Sequence, residues 1–153
     1  MKVEKQGSDE CVLATIAALA DRPLAEIRQL ACKVAGVKVW AHAVQTPSYW
    51  RAIKYLCNRF GGNLKYHFTS YKYGDPPPGA SVEVLSNDII DLPEKGKGTV
   101  IIWRTKGKRI SHIMPWSNGK VCDPANPSNW YSLREIKAIF KNWKVNYITS
   151  EES

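Results

Sequence analysis

The chain has 153 residues, 44% of them apolar, with 6 Trp and a net charge of +8 from 22 Lys+Arg against 14 Asp+Glu. That length and apolar content suit one domain over 1–153 with a packed core and exclude a disordered tail, and no run reaches the roughly 18 apolar residues of a membrane span. Residues Met1 to Lys5 lead into no signal-type apolar region, which predicts a cytoplasmic location, and Cys11, Cys32, Cys57 and Cys122 lack the Cys-x-x-Cys spacing of zinc and redox motifs.

Ser8 or Asp9 is predicted to cap a helix over about 10–20, with Glu10 near its positive end. Pro23 suits the first turn of a second helix over 23–35, stopped by Gly36. Thr46-Pro47 opens a third helix to about Phe60, ended by Gly61-Gly62, in which Trp50, Ile53, Leu56, Cys57 and Phe60 recur at helical spacing. Asn63 to Thr69 reads as a strand, 71–81 as a proline-rich loop, and 86–92 as a short helical turn. Thr99 to Trp103 is an apolar, buried strand. Residues 110–116 and 120–123 form a hairpin. Ser132 caps a last helix, with Glu135 completing a capping box, and Lys144 to Thr149 closes the order as a strand. Helices first and strands later predict an α+β fold with an antiparallel sheet.

The chemistry is concentrated at three places along this order. Cys11 opens the first helix, where free N–H groups and the positive end of the macrodipole stabilise a thiolate and make it a usable nucleophile. Gln6, just upstream, carries an amide N–H suited to an oxyanion beside that sulfur. A histidine and a carboxylate follow far downstream, as such chemistry needs: Ser111-His112-Ile113 and Cys122-Asp123-Pro124. Asn118-Gly119 is a tight-turn signal that sets Ser117 opposite Lys120 and Met114 opposite Asp123. Residues two apart on a strand share a side, so His112 and Asp123 become diagonal neighbours on one face. A loop longer or shorter by one residue would send Asp123 to the other face.

Each residue alone has a plainer reading: a small core cysteine, a satisfied core histidine, an aspartate that starts a turn. Their joint order favours catalysis. His42 and His67 have no acidic neighbour in sequence and read as structural. Cys122 points away from the Asp123 side, and Cys32 and Cys57 sit on apolar helix faces. Trp40, Trp116, Trp130 and the loop at 71–81 are candidates to line a cleft, although core packing accounts for tryptophans equally well.

With these residues in place the chain resembles the papain-like cysteine peptidases, and among them the bacteriocin-leader-processing (double-glycine) peptidase domain. The resemblance rests on Gln6…Asp9-Glu10-Cys11 with its apolar helix, on Ser111-His112-Ile113, and on Val121-Cys122-Asp123-Pro124. It implies N-terminal helices carrying the cysteine, packed on a C-terminal antiparallel sheet carrying the histidine and aspartate. It implies Cys11 as nucleophile, His112 as general base and acid, Asp123 as its orienter and Gln6 as oxyanion donor. The substrate is then a protein or peptide, cut at a peptide or isopeptide bond with no metal or organic cofactor, by a free-standing thiol hydrolase of bacterial or phage origin. The chain departs from the family in three ways. Gln6 lies five residues before Cys11 where six is usual, Val12 replaces the glycine that commonly follows the cysteine, and the His-to-Asp interval of 11 is short. Two other readings stand beside it. One is a Cys-His-Asp acyltransferase that passes the acyl group to an amine. The other is a basic, non-catalytic binding module for nucleic acid or protein, with Tyr66-His67-Phe68 and Tyr71-Lys72-Tyr73 as stacking aromatics beside lysine.

Overall fold

Apolar side chains at helical spacing drive three successive helices into one cluster: α1 (Cys11–Ala20), α2 (Leu24–Ala35) and α3 (Pro47–Phe60), with a single 3-10 turn at Trp40–His42. The computed structural model describes residues 1–60, 81–84, 91–104 and 110–151. The strand read at 63–69, the loop at 71–80, most of the turn near 86–92, and His67 lie outside the described residues.

The start of α1 differs from the expected one. Neither Ser8 nor Asp9 caps it. Asp9 takes a left-handed φ of 59°, and Glu10 occupies the cap position without a side-chain cap bond. Pro23 stands just before α2 rather than inside it, and Gly36 ends α2 at φ 72°, where a side chain would be strained. Trp40 and Trp116 are fully buried in the core, which removes both from the expected cleft lining. His42 is exposed at the end of the 3-10 turn.

Among the described residues five antiparallel strands follow in the order β1-β5-β2-β3-β4: β1 (Ser81–Val84), β2 (Lys97–Arg104), β3 (Ile110–Ser117), β4 (Lys120–Val121) and β5 (Lys144–Glu151). β1 falls at the edge of the expected proline-rich loop and was not foreseen as a strand. α4 (Leu133–Ile139) begins with the expected capping box: the Glu135 N–H donates to Ser132 Oγ, and the Ser132 N–H donates to Glu135 Oε1, both at 3.1 Å. The chain is thus α+β.

β2 is buried on both faces, which is why it reads as a continuous apolar run rather than an alternation. Ile101 and Ile113, paired across β2 and β3, face α1, α2 and α3. Val100, Ile102, Met114 and Trp116 face the other way, toward Leu133 and Ile136 of α4. Val145 and Ile148 of β5 also belong to this second cluster, although residues an odd number apart cannot share a face of a regular strand. A register shift opposite Ile101/Ile102 inserts one extra residue of β5 and turns both inward.

Candidate active site

The site is built at a sheet edge. β4 pairs only with Trp116 and Ser117, so among the described residues the edge of β3 carrying His112 has no neighbouring strand beyond Pro115, whose carbonyl accepts from the Cys122 N–H at 3.1 Å. The N-terminal segment enters there. The Gln6 N–H donates to the Pro124 carbonyl at 2.9 Å. Thr15, one turn into α1, bonds back to the Cys11 carbonyl at 2.7 Å and also reaches the Ile113 carbonyl at 3.5 Å. The first turn of α1 is therefore tied to the residue next to His112.

The hairpin brings in the carboxylate. Asn118 (φ 47°) and Gly119 (φ 83°) both take left-handed backbone, the pattern of a two-residue turn matched to strand twist. Ser117 stands opposite Lys120 and Trp116 opposite Val121, as expected. The register carries Asp123 to the His112 side, where Oδ1 accepts from His112 Nε2 at 2.7 Å. The same oxygen accepts the Ala125 N–H at 2.9 Å, so Asp123 also organises the turn that follows it. Val121 and Tyr131 exchange backbone hydrogen bonds and close that loop at its base.

His112 is thus held from two sides. Its side chain is only 15% exposed. Burial alone would strip its proton, but the hydrogen bond to Asp123, the hydrogen bond to the Cys11 side chain, and the charges of both raise its pKa to about 9. With Nε2 on Asp123, Nδ1 is the ring nitrogen left for the sulfur. Burial works against the Asp123 carboxylate too. It is overcome by the hydrogen bond and charge of His112 and by the Ala125 N–H, and the carboxyl ionises below its usual range. Phe140 lies beside the imidazole, ring centres 6.2 Å apart and the planes tilted by 38°.

The structure therefore brings Cys11, His112 and Asp123 together. The bend at Gly7 turns the Gln6 amide onto the Gly7 carbonyl at 3.3 Å, and its Oε1 is buried with no hydrogen-bond partner. That contact occupies one of the two N–H groups of the Gln6 amide and leaves the other to donate elsewhere. None of the remaining cysteines is joined in a disulfide. Cys122 is fully buried, and burial, then the Asp123 charge, pushes its pKa up to about 11. Burial and the Glu10 charge also raise Cys32, which is half-buried at the surface of the helical cluster rather than within it.

One feature escaped the sequence. Glu10, next to Cys11, is 4% exposed, and its carboxylate accepts from Arg28 at 2.5 and 2.9 Å and from the Gly7 N–H at 2.6 Å. A Cβ on Gly7 would come within 2.8 Å of Glu10 Oε1, so a larger residue there would push the carboxylate aside. The clamp fixes the loop between Gln6 and Cys11 and neutralises the charge beside the sulfur. Its partner lies 18 residues away on α2, with no local pattern to reveal it. Compared with known proteins, the chain matches no family model, no curated protein and no solved structure.

Proposed function

We propose that the chain is a cysteine peptidase of papain-like arrangement, acting on a peptide or isopeptide bond. The observation that carries this reading is the position of one buried imidazole between the Asp123 carboxylate, at 2.7 Å, and the Cys11 side chain at the start of α1. A histidine held that way keeps its proton at neutral pH beside a sulfur that can act as a thiolate.

In the proposed reaction the Cys11 sulfur attacks the carbonyl carbon, and the unpaired N–H groups of the first turn of α1 face the charge that develops on oxygen. His112 gives its proton to the leaving amine, the C–N bond breaks, and a thioester remains on Cys11. Water then attacks the thioester while His112 takes its proton. The carboxylic acid leaves, and the Cys11–His112 pair is restored. Asp123 keeps the ring oriented throughout. Gln6 serves as a further oxyanion donor through the amide N–H that its 3.3 Å contact with Gly7 leaves over.

A mixed peptide library, incubated with wild type and with Cys11→Ser and read by mass spectrometry, tests the reading. The expected result is a set of new peptide ends from wild type that Cys11→Ser does not produce. No cleavage by wild type, or equal cleavage by both, would contradict it. Capture of the acyl group by added hydroxylamine, with no hydrolysis in its absence, would assign the chain to the acyltransferases instead.

A further inference from the structure

Beside His112 runs a file of stacked groups that the proposed reaction does not use. Phe140 lies beside the imidazole, Trp143 meets Phe140 edge-on with ring centres 5.6 Å apart, and the Arg104 guanidinium lies 5.4 Å from the centre of the Trp143 ring. The register explains why the file ends close to the site. His112 pairs with Ile102, and Arg104 is two residues further along β2 on the same face. A diagonal of that kind spans roughly 7–8 Å between backbone positions.

Arg104 is half-buried, and its Nε is shut away from water with no hydrogen-bond partner. No ion pair joins it to any acid among the described residues. Of its three nitrogens only Nε is shut away, so the terminal Nη1 and Nη2 are the donors that meet an incoming acceptor. The adjoining stretches of sequence carry no carboxylate. From Lys95 to Cys122 there is no Asp or Glu, and none from Ile136 to Ser150, whereas Lys141 and Lys144 flank Trp143. The cation–π contact with Trp143 restrains the guanidinium, whose planar fork of donors matches a carboxylate.

We propose that Arg104 is the anchor of a carboxylate subsite, and that the substrate is an acidic peptide bearing Asp, Glu or a chain terminus two or three residues from the bond attacked. At about 3.3 Å per extended residue that interval spans the separation the strand register sets. The proposal rests on the peptidase reading of Cys11 and His112. Phe140 and Trp143 form the floor over which the peptide passes, and Arg104 selects for negative charge.

The test uses reagents that alkylate Cys11 while carrying a peptide. Glu-Gly-Gly and Gln-Gly-Gly chloromethyl ketones extend the chain on one side of the reacting carbon, and bromoacetyl-Gly-Gly-Glu and bromoacetyl-Gly-Gly-Gln amides extend it on the other. Iodoacetamide is the uncharged control. In wild type one series is expected to label Cys11 about tenfold or more faster with Glu than with Gln, the range of a charge-assisted contact. Arg104→Gln should bring that ratio close to one and leave the iodoacetamide rate unchanged. High salt should shrink the ratio in wild type itself, which keeps the test decisive if Arg104→Gln fails to fold. No Glu preference in either series, or a preference that survives both Arg104→Gln and salt, would overturn the subsite. Protection of Cys11 by an oligonucleotide, with none from an acidic peptide, would overturn it in favour of nucleic acid. If iodoacetamide does not single out Cys11 in wild type, the peptidase reading fails first, and the two failures are told apart.

Discussion

His112 shows how opposing effects on one side chain are resolved. Burial favours the neutral ring, and the two hydrogen-bonded neighbours favour the charged one. The neighbours win, and the ring titrates at about 9. A folded value above the unfolded one, about 6.5, means that the proton stabilises the fold. That contribution is fully present below about pH 6.5 and is lost as pH rises through about 9. Asp123 behaves in the opposite sense. Its lowered carboxyl contributes above its ordinary range and loses that contribution as pH falls through the folded value. The pair is therefore strongest between those limits. Thermal melting from pH 6 to pH 9.5 should show wild type losing more stability than Asp123→Asn, whose amide can orient the ring but cannot balance its charge. The difference is at most about 3 kcal/mol. Equal losses in the two proteins would mean that Asp123 does not hold the His112 proton. The identities of these residues were legible because Cys, His and Asp stand at recognisable starts of local structure. The environment of Glu10 was not, because its burial is made by Arg28 from another helix.

At the scale of elements, the site depends on one turn and one short strand. Asn118-Gly119 fixes the register that sets Asp123 beside His112, and Asn118 is itself tied down, its N–H donating to the Gly96 carbonyl at 2.9 Å. One glycine inserted after Gly119 should turn Asp123 to the other face. Peptide turnover should then fall at least to the level of Asp123→Ala, while Cys122, Tyr131 and the hairpin end repack locally. Turnover equal to wild type, read against far-UV circular dichroism to confirm the fold, would show that the register does not place the carboxylate. The hairpin could be read from sequence because Asn-Gly names its own turn type. The brevity of β4 could not. It leaves the β3 edge open to α1, and it reflects the turn that Asp123 starts through Ala125 and Asn126 rather than any loss of strand-forming residues. Likewise β1 follows Pro76-Pro77-Pro78 in sequence, a loop signal whose expected reach extended to residue 81, whereas Ser81–Val84 forms a strand.

At the scale of the molecule, two clusters of apolar side chains lie on opposite faces of one sheet, and the candidate site sits where the faces meet at its edge. The helix with Cys11 belongs to one face and His112 to the other. The order of helices and strands, and hence the α+β class, was legible from periodicity. The meeting of two faces was not, because it depends on packing between elements about 100 residues apart. The account stands or falls on the pairing across that edge. Its most direct test is alkylation by iodoacetamide, mapped to each cysteine from pH 5 to pH 9, in wild type and His112→Ala. The account predicts that Cys11 reacts first and keeps reacting at pH 6, that buried Cys57 and Cys122 stay unlabelled in the folded protein, and that His112→Ala slows Cys11 at pH 6 by about tenfold or more. Labelling of Cys32 or Cys122 as fast as Cys11, or an unchanged Cys11 rate at pH 6 in folded His112→Ala, would contradict it.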